Sequence, residues 1–289
     1  MNVPTFAGQP FCWFNRSYSG LPIRPKSSTT RYDAAKLPQR RPRAQLISPN
    51  AESLLDDLCS ESQARQLVAL VHLSSLPPGE GIWVLRKSDV LTSRNLQVRV
   101  SAFATLGKLG IREEGRTLIV ALESDPDHSI RAAAASGLGD LLRPNDGEGV
   151  VRGQGDALEA LVRAAEQDAH FIVRYAALVS VGELGNPAAL DAVLRVVRDL
   201  SAPALEATAA VYAIGQLAND DALTGEILDA VSARAGDRED LVRAAVVRTL
   251  GRWSNANSVP ELLQRMKGDE KRFGQSTHVQ AILDDVLGG

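Results

Sequence analysis

Residues 168–185, DAHFIVRYAALVSVGELG, decide how the chain is read. Counted from Arg174, a small residue follows at three (Ala177), an aliphatic at seven (Val181) and a glycine at eight (Gly182). Steps of three and four residues place such side chains on one stripe of an α-helix. The same template recurs in both directions along the chain, as Arg99, Ala102, Leu106, Gly107, then Arg131, Ala134, Leu138, Gly139, and later Arg243, Val246, Leu250, Gly251. A further copy, Ala207, Ala210, Ile214, Gly215, has lost its arginine. The copies start at Val98, Ile130, Val173, Glu206 and Val242, at intervals of 32, 43, 33 and 36 residues. The long interval holds an insertion of turn formers that opens Arg143-Pro-Asn-Asp-Gly-Glu-Gly149.

A second amphipathic run lies between successive copies, for example Leu118, Ile119 and Leu122, or Leu190, Val193, Leu194 and Val197. Leu262, Leu263 and Met266 open a final pair closed by Val279, Ile282 and Val286. The unit is a helical hairpin of roughly 30–40 residues, the size class of helical solenoids. One hairpin cannot bury both of its apolar stripes, but stacked neighbours make a continuous core. Alanine pairs such as Ala133/Ala134, Ala176/Ala177, Ala209/Ala210 and Ala244/Ala245 predict close helix approach. Six residues before the arginine slot stand Ser93, Asp125, Asp168, Ser201 and Asp237, residue types expected to cap the following helix.

The Asp-to-Arg spacing resembles the HEAT-repeat consensus, in which these residues form a ladder along the stack. Gly107-Lys-Leu-Gly110 and Gly182-Glu-Leu-Gly185, each following Val-Arg-x-x-Ala, are similar to the phycobilisome-lyase type of HEAT-like repeat, and Asp168–Ala177 is the best-matching segment. The resemblance covers Leu91 to Trp253 well and the flanks weakly. It implies an all-α, right-handed HEAT-like solenoid of about five or six hairpins. It also implies a photosynthetic setting, because such proteins attach bilins to phycobiliproteins as paired lyase subunits or help dismantle the antenna. Partners implied by it are a phycobiliprotein or related client, or a second HEAT subunit; a bilin or other tetrapyrrole would be bound transiently, with no resident cofactor.

Charge divides the chain of 289 residues, whose formal net charge is -3. Residues 1–51 carry Arg16, Arg24, Lys26, Arg31, Lys36, Arg40, Arg41 and Arg43 against Asp33 alone, about +7, which leaves about −10 for the repeat body, residues 52–289. The basic, hydroxylated, proline-rich tail fits a transit peptide, and equally a disordered arm. Its aromatics Phe11, Trp13, Phe14 and Tyr18 also allow a docking segment. A transit peptide would place the protein in the plastid stroma; otherwise the expected location is the cytoplasm. An acidic body disfavours a nucleic-acid surface, no apolar run is long enough to span a membrane, and two cysteines (Cys12, Cys59) make no disulfide framework.

Catalytic patterns are scarce. Gly147-Glu-Gly149 and Gly153-Gln-Gly155 precede no phosphate-loop Lys-Ser/Thr, and no paired Cys-x-x-Cys or His-Glu-x-x-His supports a metal. His128 and His170 stand in equivalent turns near aspartates and read as polar turn residues; Arg99, Arg131, Arg174 and Arg243 read as ladder residues. Function is expected on the outward stripe of the second helices, two, five or six, and nine residues after the arginine slot. The candidates for binding a partner are Lys108, Glu183, Tyr212, Gln216, Arg248 and Arg252, beside Ser101, Thr105, Ser136, Asp140, Ser180 and Thr249 in the same rows. Tyr and Arg are frequent interface anchors. Under an enzymatic reading, a lyase holding an acidic tetrapyrrole would use Tyr212, Arg248 and Arg252, with His170 and Tyr175 behind them.

Overall fold

The computed structural model describes residues 47–144, 154–218, 223–254, 256, 258–272 and 276–288. Most of the tail and the insertion after Pro144 lie outside them. Among the described residues there are fourteen α-helices and no strand. They pair as α1 (Pro49–Leu58) with α2 (Gln63–Leu73), α3 (Pro78–Lys87) with α4 (Leu96–Lys108), α5 (Gly115–Ser124) with α6 (His128–Leu142), and α7 (Gln154–Gln167) with α8 (Phe171–Leu184). Three more pairs follow: α9 (Leu190–Arg198) with α10 (Ala204–Leu217), α11 (Gly225–Ala233) with α12 (Asp240–Arg252), and α13 (Val259–Arg272) with α14 (Thr277–Gly288).

The stack is thus an all-α solenoid of seven hairpins, five carrying the template and one at either end. The even-numbered helices pack closely on one another, whereas the odd-numbered ones are spread apart, so the even-numbered helices form the inner, concave layer. Glycine at the eighth slot makes that approach possible. A Cβ added at Gly107 would stand 2.4 Å from the Gly137 Cα, inside backbone rather than beside a side chain that could move. The template alanines and leucines, Ala102, Leu106, Ala134, Leu138, Ala177 and Val181, are fully buried. Each buried leucine contributes about 1.5–3 kcal/mol by leaving water.

The turn residues differ from the expected caps. The N-caps of α4, α6, α8, α10 and α12 are Asn95, Asp127, His170, Pro203 and Glu239, two residues later than expected. Ser93, Asp125, Asp168 and Asp237 instead accept the backbone N–H of the residue two further on, closing the turn that feeds the helix. Ser201 cannot do so, because Pro203 has no N–H; here Asp199 accepts from Ser201 instead.

The ladder is present and extends beyond the template. Arg131 forks onto both carboxylate oxygens of Asp168, at 2.7 and 2.9 Å, and its third nitrogen donates to the Asp125 carbonyl of its own turn. Arg99 reaches Asp125 at 3.7 Å. Arg174 pairs with Glu206, and Arg243 with Glu270 and Asp240. Where Ala207 interrupts the series, buried Arg234 takes over, donating to the Val197 and Asp199 carbonyls and to Asp237. In the first hairpin Gln66 occupies the arginine slot and holds the Ser60 carbonyl.

Candidate functional site

Stacking fixes which faces of the inner helices remain open. The hydroxyls six residues after the arginine slot turn into the stack: Thr105 donates to the Leu70 carbonyl, Ser180 to Ala135 and Thr249 to Val211. All three are buried, so their expected outward position is corrected. They satisfy carbonyls on the preceding inner helix and leave nothing to offer a partner. Helix geometry rotates each successive residue by about 100°, so slots five and six face different neighbours.

The open stripe lies one, five and nine residues after the slot, successive positions on one helix ridge. At nine it carries Ser75, Lys108, Asp140, Glu183, Gln216 and Arg252; at five, Val71, Ala104, Ser136, Val179, Tyr212 and Arg248. Lys108 and Arg252 are exposed, while Glu183, Tyr212, Gln216 and Arg248 are half-buried. The same inner helices carry small residues, among them Ala132, Ala133, Ala176 and Ala209, which are buried. All six sequence candidates therefore face the concavity, but they are not one cluster.

Four of them meet near the centre, around Tyr175 and around Arg143, which the sequence candidates omit. Arg143, just past the end of α6, pairs with Glu183 at 2.6 Å and with Asp140 at 3.5 Å. The Glu183 carboxylate lies over Gly139, where an added Cβ would stand 2.7 Å from its Oε2, and the Tyr212 ring lies over Gly182. Burial pushes the Glu183 carboxyl up, with Arg143 opposing and Asp140 adding to the rise. Burial and the Glu183 charge raise Tyr212, against Arg143, Arg252 and a hydrogen bond with Gln216. Tyr175 is raised by burial and by the same Glu183. Asp140 is raised by burial, with Arg143 and Lys108 opposing. Arg248 stands apart, its guanidinium pKa lowered by burial.

These shifts place Tyr175, Glu183, Tyr212, Gln216, Arg143 and Arg252 within one electrostatic neighbourhood on the concave surface. It can hold a polar or aromatic group by hydrogen bonds and charge. Tyr175, a candidate only under the enzymatic reading, stands four residues before Val179 on the same ridge; Arg143 had no signal beyond being a cation at a helix end. His128 and His170 lie elsewhere, on the turn edge, with their rings stacked 3.7 Å apart. His170 Nδ1 accepts the Ile172 N–H. Among the described residues no group of three metal-ligating side chains occurs, and no helix is long and apolar enough to cross a membrane.

Residues 115–211 match the family model described as HEAT repeats. The repeat body is a HEAT-like solenoid. The phycocyanin lyase complex of CpcE and CpcF from Nostoc sp. is similar to it at 22% identity, over 74% of this chain and 76% of that one, with a TM-score of 0.49. An archaeal HEAT-like repeats protein from Thermococcus onnurineus aligns at 14% identity over 82% of this chain and 98% of its own, TM-score 0.47. A designed armadillo repeat protein in complex with the peptide (KR)4 aligns at 17% identity over 83% and 99%, TM-score 0.43. No curated protein matches the chain.

Proposed function

We propose that this HEAT-like solenoid is a binding scaffold that holds a protein client along its concave face. The observation that carries this reading is the Arg143–Glu183 pair beside Tyr212 and Gln216, a half-buried polar cluster on the inner helices. Partly desolvated Tyr and Arg side chains are the residue types that anchor interfaces. The Ser180 and Thr249 hydroxyls on the same helices are spent on backbone carbonyls, so binding accounts for the arrangement better than catalysis. The client we assign is an antenna phycobiliprotein or a protein that handles a tetrapyrrole; the resemblance of Asp168–Ala177 to phycobilisome-lyase repeats supports that choice. A plastid location follows if residues 1–51 act as a transit peptide, in which case the mature protein begins near residues 40–50; without a transit role the location is the cytoplasm.

Affinity capture from a photosynthetic extract tests this. The wild type should retain an antenna or tetrapyrrole-handling protein that the double variant Tyr212→Ala, Arg252→Glu loses, with helicity unchanged. Retention of the same proteins by the variant sinks the reading.

A second reading, a bilin lyase or chromophore-detaching subunit, is favoured by one feature: two tyrosines and two arginines, groups suited to an acidic pigment, share the concave cluster. Purified protein mixed with phycocyanobilin should then show a shifted absorbance band and transfer pigment to an apo-subunit. An unshifted spectrum without transfer leaves the scaffold reading alone.

A further inference from the structure

Six of the nine large apolar side chains that the described structure exposes, Leu96, Phe171, Ile172, Leu200, Leu205 and Leu241, lie on one edge of the solenoid, away from the concave cluster. All belong to the turns feeding the inner helices or to the first two residues of those helices. The stacked His128 and His170 rings, with Phe171 5.2 Å from His170, show that turn side chains of successive hairpins touch along this edge. We propose that the edge is a second docking surface, for a basic amphipathic helix of a partner protein laid along the stack.

Spacing and charge select that occupant. Packed helices lie about 8–10 Å apart, so the apolar residues recur along the edge at roughly that interval. A helix rises about 10.5 Å in seven residues, so a partner helix with one apolar residue per heptad meets the row in register over the three consecutive hairpins of α8, α10 and α12, while α6 presents His128 instead. The ladder arginines on this edge are committed to carboxylates of the neighbouring hairpin. Flanking the apolar row are Asp127, Asp199, Glu239 and Asp240, the last shared with Arg243, against two exposed cations in the same turns, Arg94 and Arg238. An open cleft of about 590 Å³ between Arg174, Glu206, Asp199 and Pro203 interrupts the row and has room for one partner side chain.

The probe is a fluorescein-labelled peptide of about three heptads, leucine at the core positions and lysine elsewhere, titrated into the full chain and followed by anisotropy. Two controls keep its length: a scrambled sequence of the same composition, and a leucine/glutamate version. The amphipathic lysine peptide should bind tightest, and Phe171→Ser with Leu205→Ser should weaken it about tenfold, as expected for loss of two anchoring side chains. Circular dichroism of the variant must match the wild type, and Tyr212→Ala should leave binding unchanged. Equal binding of the scrambled peptide, preference for the glutamate peptide, or indifference to the double variant would each overturn the proposal. The concave-face reading is untouched by any of these results, because its own test uses Tyr212 and Arg252.

Discussion

Arg234 shows how one side chain repairs a gap in a repeat. Ala207 removes the guanidinium that would tie the fourth template copy, leaving turn carbonyls and Asp237 in need of a donor. Arg234, only 1% exposed, supplies it from the end of the next outer helix. Replacing it with Met strands those acceptors, and buried acceptors cost about 1–3 kcal/mol each. Arg234→Met should therefore lose about 2–4 kcal/mol in urea unfolding, more than any single change among the exposed outer-layer pairs such as Arg163–Glu123. A loss below about 0.5 kcal/mol, the range of surface substitutions, would mean the arginine is a passenger. Asp168 makes the complementary case by pH. Burial works against its carboxylate, but hydrogen bonds from Arg131 and the His170 N–H, with the Arg131 charge, hold its pKa below the ordinary 3.8. A lowered acid contributes stability above its unfolded value and loses it as pH falls through the native value. Asp168→Asn should thus be less stable than wild type at neutral pH and show a flatter decline below the ordinary aspartate value, measured by thermal melts across that range.

Individual helices show what the sequence made legible. The template recurs because inner helices cross at backbone distance, which restricts the contact positions to alanine and glycine and prints a periodic signal. Gly107→Ala would drive a Cβ against the Gly137 backbone, and overpacking of this kind costs about 1–3 kcal/mol or more. Gly268, within α13, has nothing within 4 Å of an added Cβ. There Gly268→Ala should raise stability by up to about 1 kcal/mol through helix propensity; opposite signs for the two substitutions in chemical unfolding are the check. The end hairpins were less legible because Gln66 stands where the inner copies have Arg, and the hairpin that follows it presents Ser93 rather than an acid. The cap positions were misplaced by two residues because Asp serves a closing turn as readily as a cap, and only the backbone path distinguishes them. Glu206 and Glu270 were missed as ladder acids because compensation between hairpins leaves no local spacing to read. Lys108, Glu183, Tyr212, Gln216, Arg248 and Arg252 could be placed on one ridge because the ridge follows from periodicity; periodicity does not say what they bind. Thr105, Ser180 and Thr249 were misassigned because the direction of stacking, not the period, decides which of two adjacent residues faces the next helix.

At the scale of the whole molecule, charge and fold give different starts for the body. Composition divides the chain after residue 51, where the basic run gives way to acids. The first helix begins earlier, at Pro49, capped by Ser48, whose Oγ accepts from the Ala51 N–H and donates to Glu80 at 2.6 Å. Those bonds fasten α1 to α3 of the next hairpin, and Ala51 is fully buried. A solenoid is held by neighbour-to-neighbour contacts, so loosening a terminal hairpin is felt by the hairpin beside it. A protein starting at Ile47 should keep the thermal midpoint of the full chain, although its net charge moves from -3 to about −10 when the tail's +7 is removed. One starting at Glu52 loses the cap, the Glu80 tie and buried Ala51, and should melt several degrees lower, with α1 and α2 exchanging amide hydrogens faster than α6 and α8. Equal midpoints for the two truncations would place the edge of the folded body at the charge boundary instead, and the Ser48–Glu80 contact would contribute nothing to it.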